Sequence, residues 1–241
     1  MKMRIQKALA EAGVASRRAV EEMILEGRIT VNGELVVRLP CFVDLSVDQV
    51  CVDGRKIGGR RPSYEYFLLN KPRGVVCTQD DPQGRPRAAD LIPQTGKRIY
   101  CVGRLDAEST GLIILTNDGE LTNYLTHPRY GVMKTYIIEV DGLPMAEQIE
   151  KLQRGVYLDG RRTGGAQVRI LQRGRQRSLL ELRLTEGRNR EIRRLLARVG
   201  HKVRRLKRVA IGPVTDKGLK IGGFRVLRHA EVERLRHSGR K

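Results

Sequence analysis

The stretch GRLDAESTGLIILTNDGEL, residues 103–121, places a carboxylate between two apolar segments of the chain. The run IYCV (99–102) precedes it and the run LIILT (112–116) follows it, and the length of both runs predicts β-strands. Asp106 is therefore expected in a connection between two strands. One interpretation is a turn or capping residue, a common use of aspartate in loops. The other is a partly buried carboxylate that a nearby arginine keeps ionised and oriented.

The segments on either side of this stretch predict more strands than helices. Helical spacing of apolar residues occurs at 118–127, 144–155 and 187–200, and the last two of these segments end at glycine. Further strand-like runs lie at 66–70, 74–78, 135–140, 166–171 and 179–185. Because strands and helices do not alternate strictly, the pattern predicts an α+β domain with a mixed, mainly antiparallel sheet and flanking helices.

A smaller module is predicted before this domain. Residues 4–12 have a helical pattern, Ser16 suits the N-cap of a second helix, and Asn32-Gly33 between alternating residues is typical of a hairpin turn. The segment 52–66 is rich in Gly, Pro, Arg and Ser, as linkers are. The sequence thus predicts a small α/β module at 1–60, a linker at 61–65, a larger domain at 66–237 and a basic tail at 238–241.

The charge of the chain indicates its partner. Lys and Arg number 47 against 27 Asp and Glu, which gives a net charge of +20. Nucleic acid is the commonest partner of so basic a protein, and an anionic membrane surface is the weaker alternative. Residues 188–208 contain ten Lys or Arg and one acid, too uneven a ratio for an ordinary solvated face. Without a helix-turn-helix, zinc finger or basic zipper motif, RNA is favoured over DNA.

Several kinds of catalytic site are not indicated. The cysteines at 41, 51, 77 and 101 form no CxxC pair and have no histidine nearby, so we expect reduced, buried thiols in a cytosolic protein and no zinc site. There is no GxxxxGK[ST] or HExxH motif, and the four histidines have no triad or ligand context. Glu108 lies too close to Asp106 in the chain for the two to flank one glycosidic bond from opposite sides.

Four motifs occur in a fixed order: NKPRGVVCT (70–78), GRLDAESTGLIILTNDGEL (103–121), KTYIIEVDG (134–142) and LTEGRNREIRRLL (184–196). Together they resemble the motif series of the RsuA/RluB family of ribosomal-RNA pseudouridine synthases. The segment ASRRAVEEMILEGRITVNGE (15–34) resembles an S4 RNA-binding domain. The form EGRNREIRR (186–194) is closer to the branch that modifies large-subunit rRNA.

The resemblance implies roles for individual residues. Asp106 corresponds to the catalytic aspartate, which attacks the ribose of a flipped-out uridine or takes a proton from it. Tyr136 corresponds to the tyrosine that stacks on the uracil, and Arg193 to the cation that pairs with the aspartate. Arg104 corresponds to the arginine that takes the place of the extruded base. The alternatives are a core aromatic for Tyr136, a phosphate contact for Arg193 and loop solvation for Arg104.

The resemblance also implies an isomerisation of uridine in ribosomal RNA, which needs neither a metal nor an organic cofactor. We expect a cytoplasmic protein and, by default, a monomer. A non-catalytic S4-type RNA-binding or ribosome-assembly factor is the first alternative, and an RNA glycosidase or nuclease is the second. The residues expected to contact RNA are Arg4, Lys7, Arg17, Arg18, Arg28, Lys71, Arg104, Lys134, Arg188, Arg190 and Arg194.

Overall fold

The computed structural model describes residues 2–58, 63–93 and 96–239, which form two compact units. The first unit comprises Met1–Tyr64 with Thr95–Arg98, and the second comprises Glu65–Gln94 with Ile99–Lys241. Parts of the predicted linker at 61–65 and of the predicted basic tail at 238–241 lie outside the described residues, and the predicted domain limits stay a prediction. No helix in the described ranges is long and apolar enough to cross a membrane.

The described residues of the first unit form two helices and six short strands around a small apolar core. The Ser16 hydroxyl accepts a hydrogen bond from the backbone N–H of Ala19 (3.1 Å), so this residue is the N-cap that the sequence predicts. Asn32 and Gly33 both have positive φ (53° and 88°), as expected for the predicted hairpin turn. The elements are β1 (Met3–Arg4), α1 (Ile5–Glu11), α2 (Arg17–Leu25), β2 (Ile29–Val31), β3 (Glu34–Leu35), β4 (Phe42–Val43), β5 (Val50–Val52) and β6 (Arg55–Lys56).

The second unit is built on one nine-stranded sheet with helices packed against it. Its elements are β7 (Tyr66–Lys71), β8 (Tyr100–Cys101), β9 (Thr110–Thr116), α3 (Gly119–Thr126), β10 (Lys134–Asp141), α4 (Ala146–Arg154), β11 (Tyr157–Leu158), β12 (Arg161–Arg162), β13 (Gln167–Gln172), β14 (Arg177–Leu184), α5 (Glu191–Arg198), β15 (Val203–Ile211), β16 (Val214–Thr215), β17 (Phe224–Val226) and α6 (His229–Arg236). Two single 3₁₀ turns occur at Ala88–Leu91 and Pro128–Tyr130.

The order of strands in this sheet is β13-β14-β10-β15-β9-β7-β17, with β16 paired to β15 and β8 paired to β9. The pair β9–β15 is parallel and the other pairs are antiparallel. The predicted α+β class with a mixed, mainly antiparallel sheet is thus confirmed. Alternate residues of β9 enter different apolar clusters, Ile113 and Leu115 one and Leu112 and Ile114 the other. Burial on both faces explains why this strand reads as a continuous apolar run.

The parallel pairing of β9 with β15 depends on one glycine. Gly111 has φ +107°, and a Cβ atom placed on it would lie 2.2 Å from the carbonyl oxygen of Arg208. Only glycine allows the two backbones to approach so closely. The strand that follows the Asp106 loop is therefore held against β15, which follows α5 in the chain.

Three segments differ from the sequence predictions. Residues 74–78 form no strand, although Val75 and Val76 are buried in the core, and only one bridge joins Val76 to Arg87. Strand β15 was not predicted, because lysines and arginines of the basic run separate its buried apolar residues. Helix α6 was not predicted either; the buried side chains of Val232 and Leu235 hold it to the domain.

The four cysteines are free thiols, and each is half-buried, whereas the sequence analysis predicted buried thiols. Two of them are neighbours in the second unit. A hydrogen bond with Cys101 is the main cause that holds the pKa of Cys77 well below its usual value, and the same contact raises the pKa of Cys101.

Candidate active site

Asp106 lies in the loop between β8 and β9, and two backbone hydrogen bonds fix that loop. The Ser109 N–H donates to the carbonyl oxygen of Asp106 (3.0 Å), and the Gly74 N–H donates to that of Ala107 (2.8 Å). The backbone of Asp106 therefore does form a turn, as the simpler interpretation holds. Its carboxylate takes no part in that turn and is 28% exposed, so it remains available for other contacts.

Two arginines at the start of α5 face this carboxylate. The Arg193 Nε and an Arg190 guanidinium nitrogen each lie 3.8 Å from Oδ2 of Asp106. Both guanidinium groups also lie 3.6 Å from a carboxylate oxygen of Glu108. Arg193 is the more enclosed of the two, with 13% of its side chain exposed against 45% for Arg190. The two cations compensate the negative charge of Asp106 from the same side.

Sequence reasoning assigned Arg190 to RNA contact alone, although it lies as close to Asp106 as Arg193 does. A signal was present in the sequence. Residues three positions apart at the beginning of a helix share one face, so the arginines at 190 and 193 are expected to act together. Arg190 is the N-cap of α5 and has a left-handed backbone conformation (φ 47°).

A narrow cavity of about 70 Å³, here called the Asp106 cavity, opens beside this carboxylate. It brings together the three predicted catalytic residues from the β8–β9 loop, β10 and α5. Tyr136 is 6% exposed on β10, and its register neighbours are Leu182 on β14 and Arg208 on β15. The other lining residues include Arg104, Leu105, Ser109, Leu184, Arg188, Arg190, Ile192 and Leu206. A carboxylate with two cations therefore faces an enclosed space with an aromatic ring and aliphatic side chains.

Lys71 differs from its predicted role in RNA contact. Its side chain is 0% exposed, and its Nζ donates hydrogen bonds to the carbonyl oxygens of Pro72 (2.9 Å) and Val75 (2.7 Å). Burial lowers the pKa of this ammonium group, while the negative charges of nearby groups, Asp106 among them, oppose that shift. An ammonium group so enclosed holds the turn at 72–75 in shape and does not reach a phosphate on the surface.

Two further cations lie deep in the domain. Lys134 is half-buried, and its Nζ donates to the carbonyl oxygen of Val132 (3.2 Å); burial, with a smaller effect of Arg208, lowers its pKa to about 8. Arg208 is 3% exposed and donates from Nε to the carbonyl oxygen of Leu112 (2.6 Å). Its Nη2 has no hydrogen-bond partner among the described residues. Sequence reasoning did not single out Arg208, because nothing in the basic run distinguishes a buried arginine from an exposed one.

The remaining residues predicted to contact RNA differ in how free their charges are. In the first unit, Arg4, Arg17 and Arg18 are exposed, whereas Lys7 lies 3.6 Å from Glu11. Arg28 contacts Asp53 at 2.7 Å and Glu26 at 3.0 Å, so its charge is compensated locally. In the second unit, Arg104 is exposed at the Asp106 cavity, Arg188 pairs with Glu186 at 3.1 Å, and Arg194 pairs with Asp159.

Comparisons with known proteins give a consistent result for both units. A family model described as RNA pseudouridylate synthase matches residues 65–198, and one described as S4 domain matches residues 3–37. A solved crystal structure of a pseudouridylate synthase is similar with a TM-score of 0.70 at 29% sequence identity, covering 97% of this chain and 99% of that one.

Named relatives match along nearly the whole sequence. The chain is 44% identical to the ribosomal large subunit pseudouridine synthase B of Bacillus subtilis, over 97% of this chain and 95% of the relative. It is 37% identical to the Escherichia coli protein of the same name, over 98% of this chain and 83% of the relative.

Proposed function

We propose that this chain, which belongs to the RNA pseudouridylate synthase family, converts a uridine of large-subunit ribosomal RNA to pseudouridine. One observation carries the proposal: the Asp106 cavity gathers Asp106, Tyr136 and Arg193 from three separate elements of the fold. The names of the Bacillus subtilis and Escherichia coli relatives support the choice of large-subunit rRNA. We also expect the protein to act in the cytoplasm as a monomer.

The chemistry follows from these residue types. A uridine stacked in RNA cannot reach an enclosed cavity, so the base must leave the stack at a cost of a few kcal/mol. Asp106 then acts on the ribose as nucleophile or base, the C1′–N1 bond breaks, and the freed uracil turns so that C5 bonds to C1′. The proton on C5 is released and a proton is taken up at N1, so the reaction is an isomerisation.

The other residues hold the base and the charge during these steps. The guanidinium groups of Arg190 and Arg193, each 3.8 Å from Asp106, balance the carboxylate and orient it. The ring of Tyr136 offers a stacking surface within an apolar wall, and its hydroxyl is a candidate for assisting removal of the C5 proton. The exposed Arg104 at the cavity can occupy the gap that the extruded base leaves.

Release of tritium from C5-labelled uridine in large-subunit rRNA transcripts tests the proposal directly. We expect release by the wild-type protein and a loss of at least about a hundredfold in the Asp106→Asn variant, since the acting carboxylate is removed. Asp80→Asn, a change of an exposed aspartate in the same unit, is the matched control and should retain full activity. Release that survives Asp106→Asn would rule out the assigned role of this residue.

The products separate this reaction from the alternatives. Chromatography should yield pseudouridine in an intact strand; free uracil would indicate a glycosidase and strand breaks a nuclease. Binding of rRNA without any tritium release would indicate a non-catalytic RNA-binding factor. Mapping pseudouridine in rRNA from cells with and without this gene would name the modified position.

A further inference from the structure

A second, wider cavity adjoins the Asp106 cavity in the same unit. It has a volume of about 620 Å³ and is here called the Lys202 cavity. The side chains of Arg190 and Arg193 line both cavities. Whatever occupies the Lys202 cavity therefore lies next to the two cations that contact Asp106.

The Lys202 cavity carries a strong positive charge. Five cations line it against the single carboxylate of Glu108, which already lies 3.6 Å from the guanidinium groups of Arg190 and Arg193. Arg73 and Lys202 are exposed, and no carboxylate of the described ranges lies within ion-pair distance of either side chain. Arg204 is held by Asp141 at 2.7 Å. Positive charge that the protein leaves unbalanced in a cavity favours an anionic ligand.

The cations of this cavity stand on rigid elements. Lys202 and Arg204 flank the start of β15, and the preceding His201 is 7% exposed. The His201 ring contacts the carbonyl oxygen of Asp141 (2.7 Å) and the side-chain oxygen of Gln148 (3.0 Å). Arg73 lies in the turn that the buried Lys71 ammonium group holds in shape. The backbone that carries these cations is therefore held by buried contacts next to the Asp106 cavity.

We propose that the Lys202 cavity binds the sugar–phosphate backbone of the RNA strand on one side of the target uridine, with Arg73 and Lys202 as its phosphate-binding residues. This inference rests on the proposed function. A uridine in the Asp106 cavity remains covalently joined to its neighbours, so an adjacent phosphate must lie close to that cavity. The shared arginines lead from one cavity to the other, and a strand whose base is extruded exposes the phosphates beside it.

RNA-binding measurements on variants of the Lys202 cavity test the assignment. We expect Lys202→Gln and Arg73→Gln each to weaken binding of the rRNA fragment that carries the target uridine by roughly tenfold, because each loses one charged contact. The slope of log K against log salt should fall by about 0.7 per variant, the value for one phosphate of a single strand. Lys217→Gln and Arg175→Gln, exposed cations that do not line the cavity, are the matched controls.

Neutral phosphate analogues in the RNA can locate the phosphate that the Lys202 cavity binds. Methylphosphonate replaces one phosphate at a time on either side of the uridine, and binding is measured for the wild type and for Lys202→Gln. The proposal requires one flanking position at which neutralisation weakens the wild type about as much as Lys202→Gln does, and adds almost nothing in that variant. Equal additional losses at every flanking position would overturn it.

Two further outcomes would also overturn the proposal. If Lys202→Gln and Arg73→Gln bind RNA as tightly as the control variants do, the Lys202 cavity does not contact the RNA. A lowered unfolding temperature with unchanged affinity would mean that the cations stabilise the C-terminal end of α5. The proposed function fails separately: if the wild type releases no tritium from rRNA, affinity for a short oligouridylate still reports on the cavity, since it needs a phosphate backbone and no turnover.

Discussion

Strands β9 and β15 lie side by side in the centre of one sheet, yet their sequences have little in common. Six residues of β9 in succession are buried, from Gly111 to Thr116, while β15 interrupts its buried apolar residues with cations, most of them exposed or half-buried and one, Arg208, buried. Strand β9 follows the Asp106 loop and holds it in the core. Strand β15 begins beside the Lys202 cavity and contributes Arg204 to its lining. The difference indicates that neighbouring strands contribute differently: β9 buries apolar surface beneath the Asp106 loop, and β15 carries positive charge.

The largest effect is expected where the two strands meet. Gly111→Ala places a Cβ atom 2.2 Å from the Arg208 carbonyl oxygen at a φ of +107°, so the strands must separate. We expect a loss of about 4 kcal/mol in the free energy of unfolding, from overpacking together with backbone strain. Denaturant unfolding measures it. Gly187→Ala, which meets nothing within 4 Å, is the control. Equal unfolding midpoints for the two variants would contradict the close approach.

A smaller change in the free energy of unfolding is expected when side chains of the two strands are truncated. Ile114 on β9 is 0% exposed, and Ile114→Ala should lower the free energy of unfolding by about 3 kcal/mol through the cavity it leaves. Arg205 on β15 is mostly exposed, and Arg205→Ala should stay within about 0.5 kcal/mol of the wild type. Thermal or denaturant unfolding of both variants checks this. Similar losses of stability in the two variants would contradict this difference between the strands.

The smallest effect concerns Lys134, which faces β15 from the adjacent strand β10. Its pKa is lowered from 10.5 to about 8, mainly by burial, so the unfolded chain binds this proton more tightly than the folded one. The free energy of unfolding should therefore rise as the pH increases from about 8 to 10.5. We expect a rise of about 2 kcal/mol, less than the full value of about 1.36 kcal/mol per pKa unit, because Lys134 is only half-buried and solvent screens part of the effect. Below pH 8 the contribution should be constant.

The control for this pH dependence is Lys134→Met, which removes the titrating group. Unfolding curves at several pH values should show a shallower rise for the variant than for the wild type across the same window. Parallel pH profiles would mean that other groups account for the whole dependence. Because Arg208 also lowers the pKa of Lys134 in the folded protein, Arg208→Met should raise the lower end of this pH window and leave its upper end, set by the unfolded chain, unchanged.

Local sequence signals predicted those parts of the fold that depend on local chemistry. The cap at Ser16, the hairpin turn at Asn32-Gly33 and the buried run of β9 each follow from a few adjacent residues. Strand β15 could not be predicted in the same way, because its lysines and arginines obscure the alternation of apolar residues that is typical of a strand. Its place in the sheet also depends on Gly111, which is distant in the sequence. The run at 74–78 is apolar because it enters the core, and burial alone does not require a strand.

The candidate site divides in a similar manner. The order of motifs pointed to Asp106, Tyr136 and Arg193, and the structure gathers them around one cavity. The burial of Lys71 and the nearness of Arg190 to Asp106 depend on how separate elements pack together. A lysine in a motif and a lysine on a surface read alike in a sequence, so only the fold could separate them.

The turn after β7 has a consequence for how the two cavities move. The Lys71 ammonium group holds this turn through the carbonyl oxygens of Pro72 and Val75, the Gly74 N–H holds the Asp106 loop through Ala107, and Arg73 points from the same turn into the Lys202 cavity. The turn therefore supports both the Asp106 loop and one wall of the Lys202 cavity. A change in the shape of this turn would therefore act on the Asp106 loop and on the lining of the Lys202 cavity at the same time.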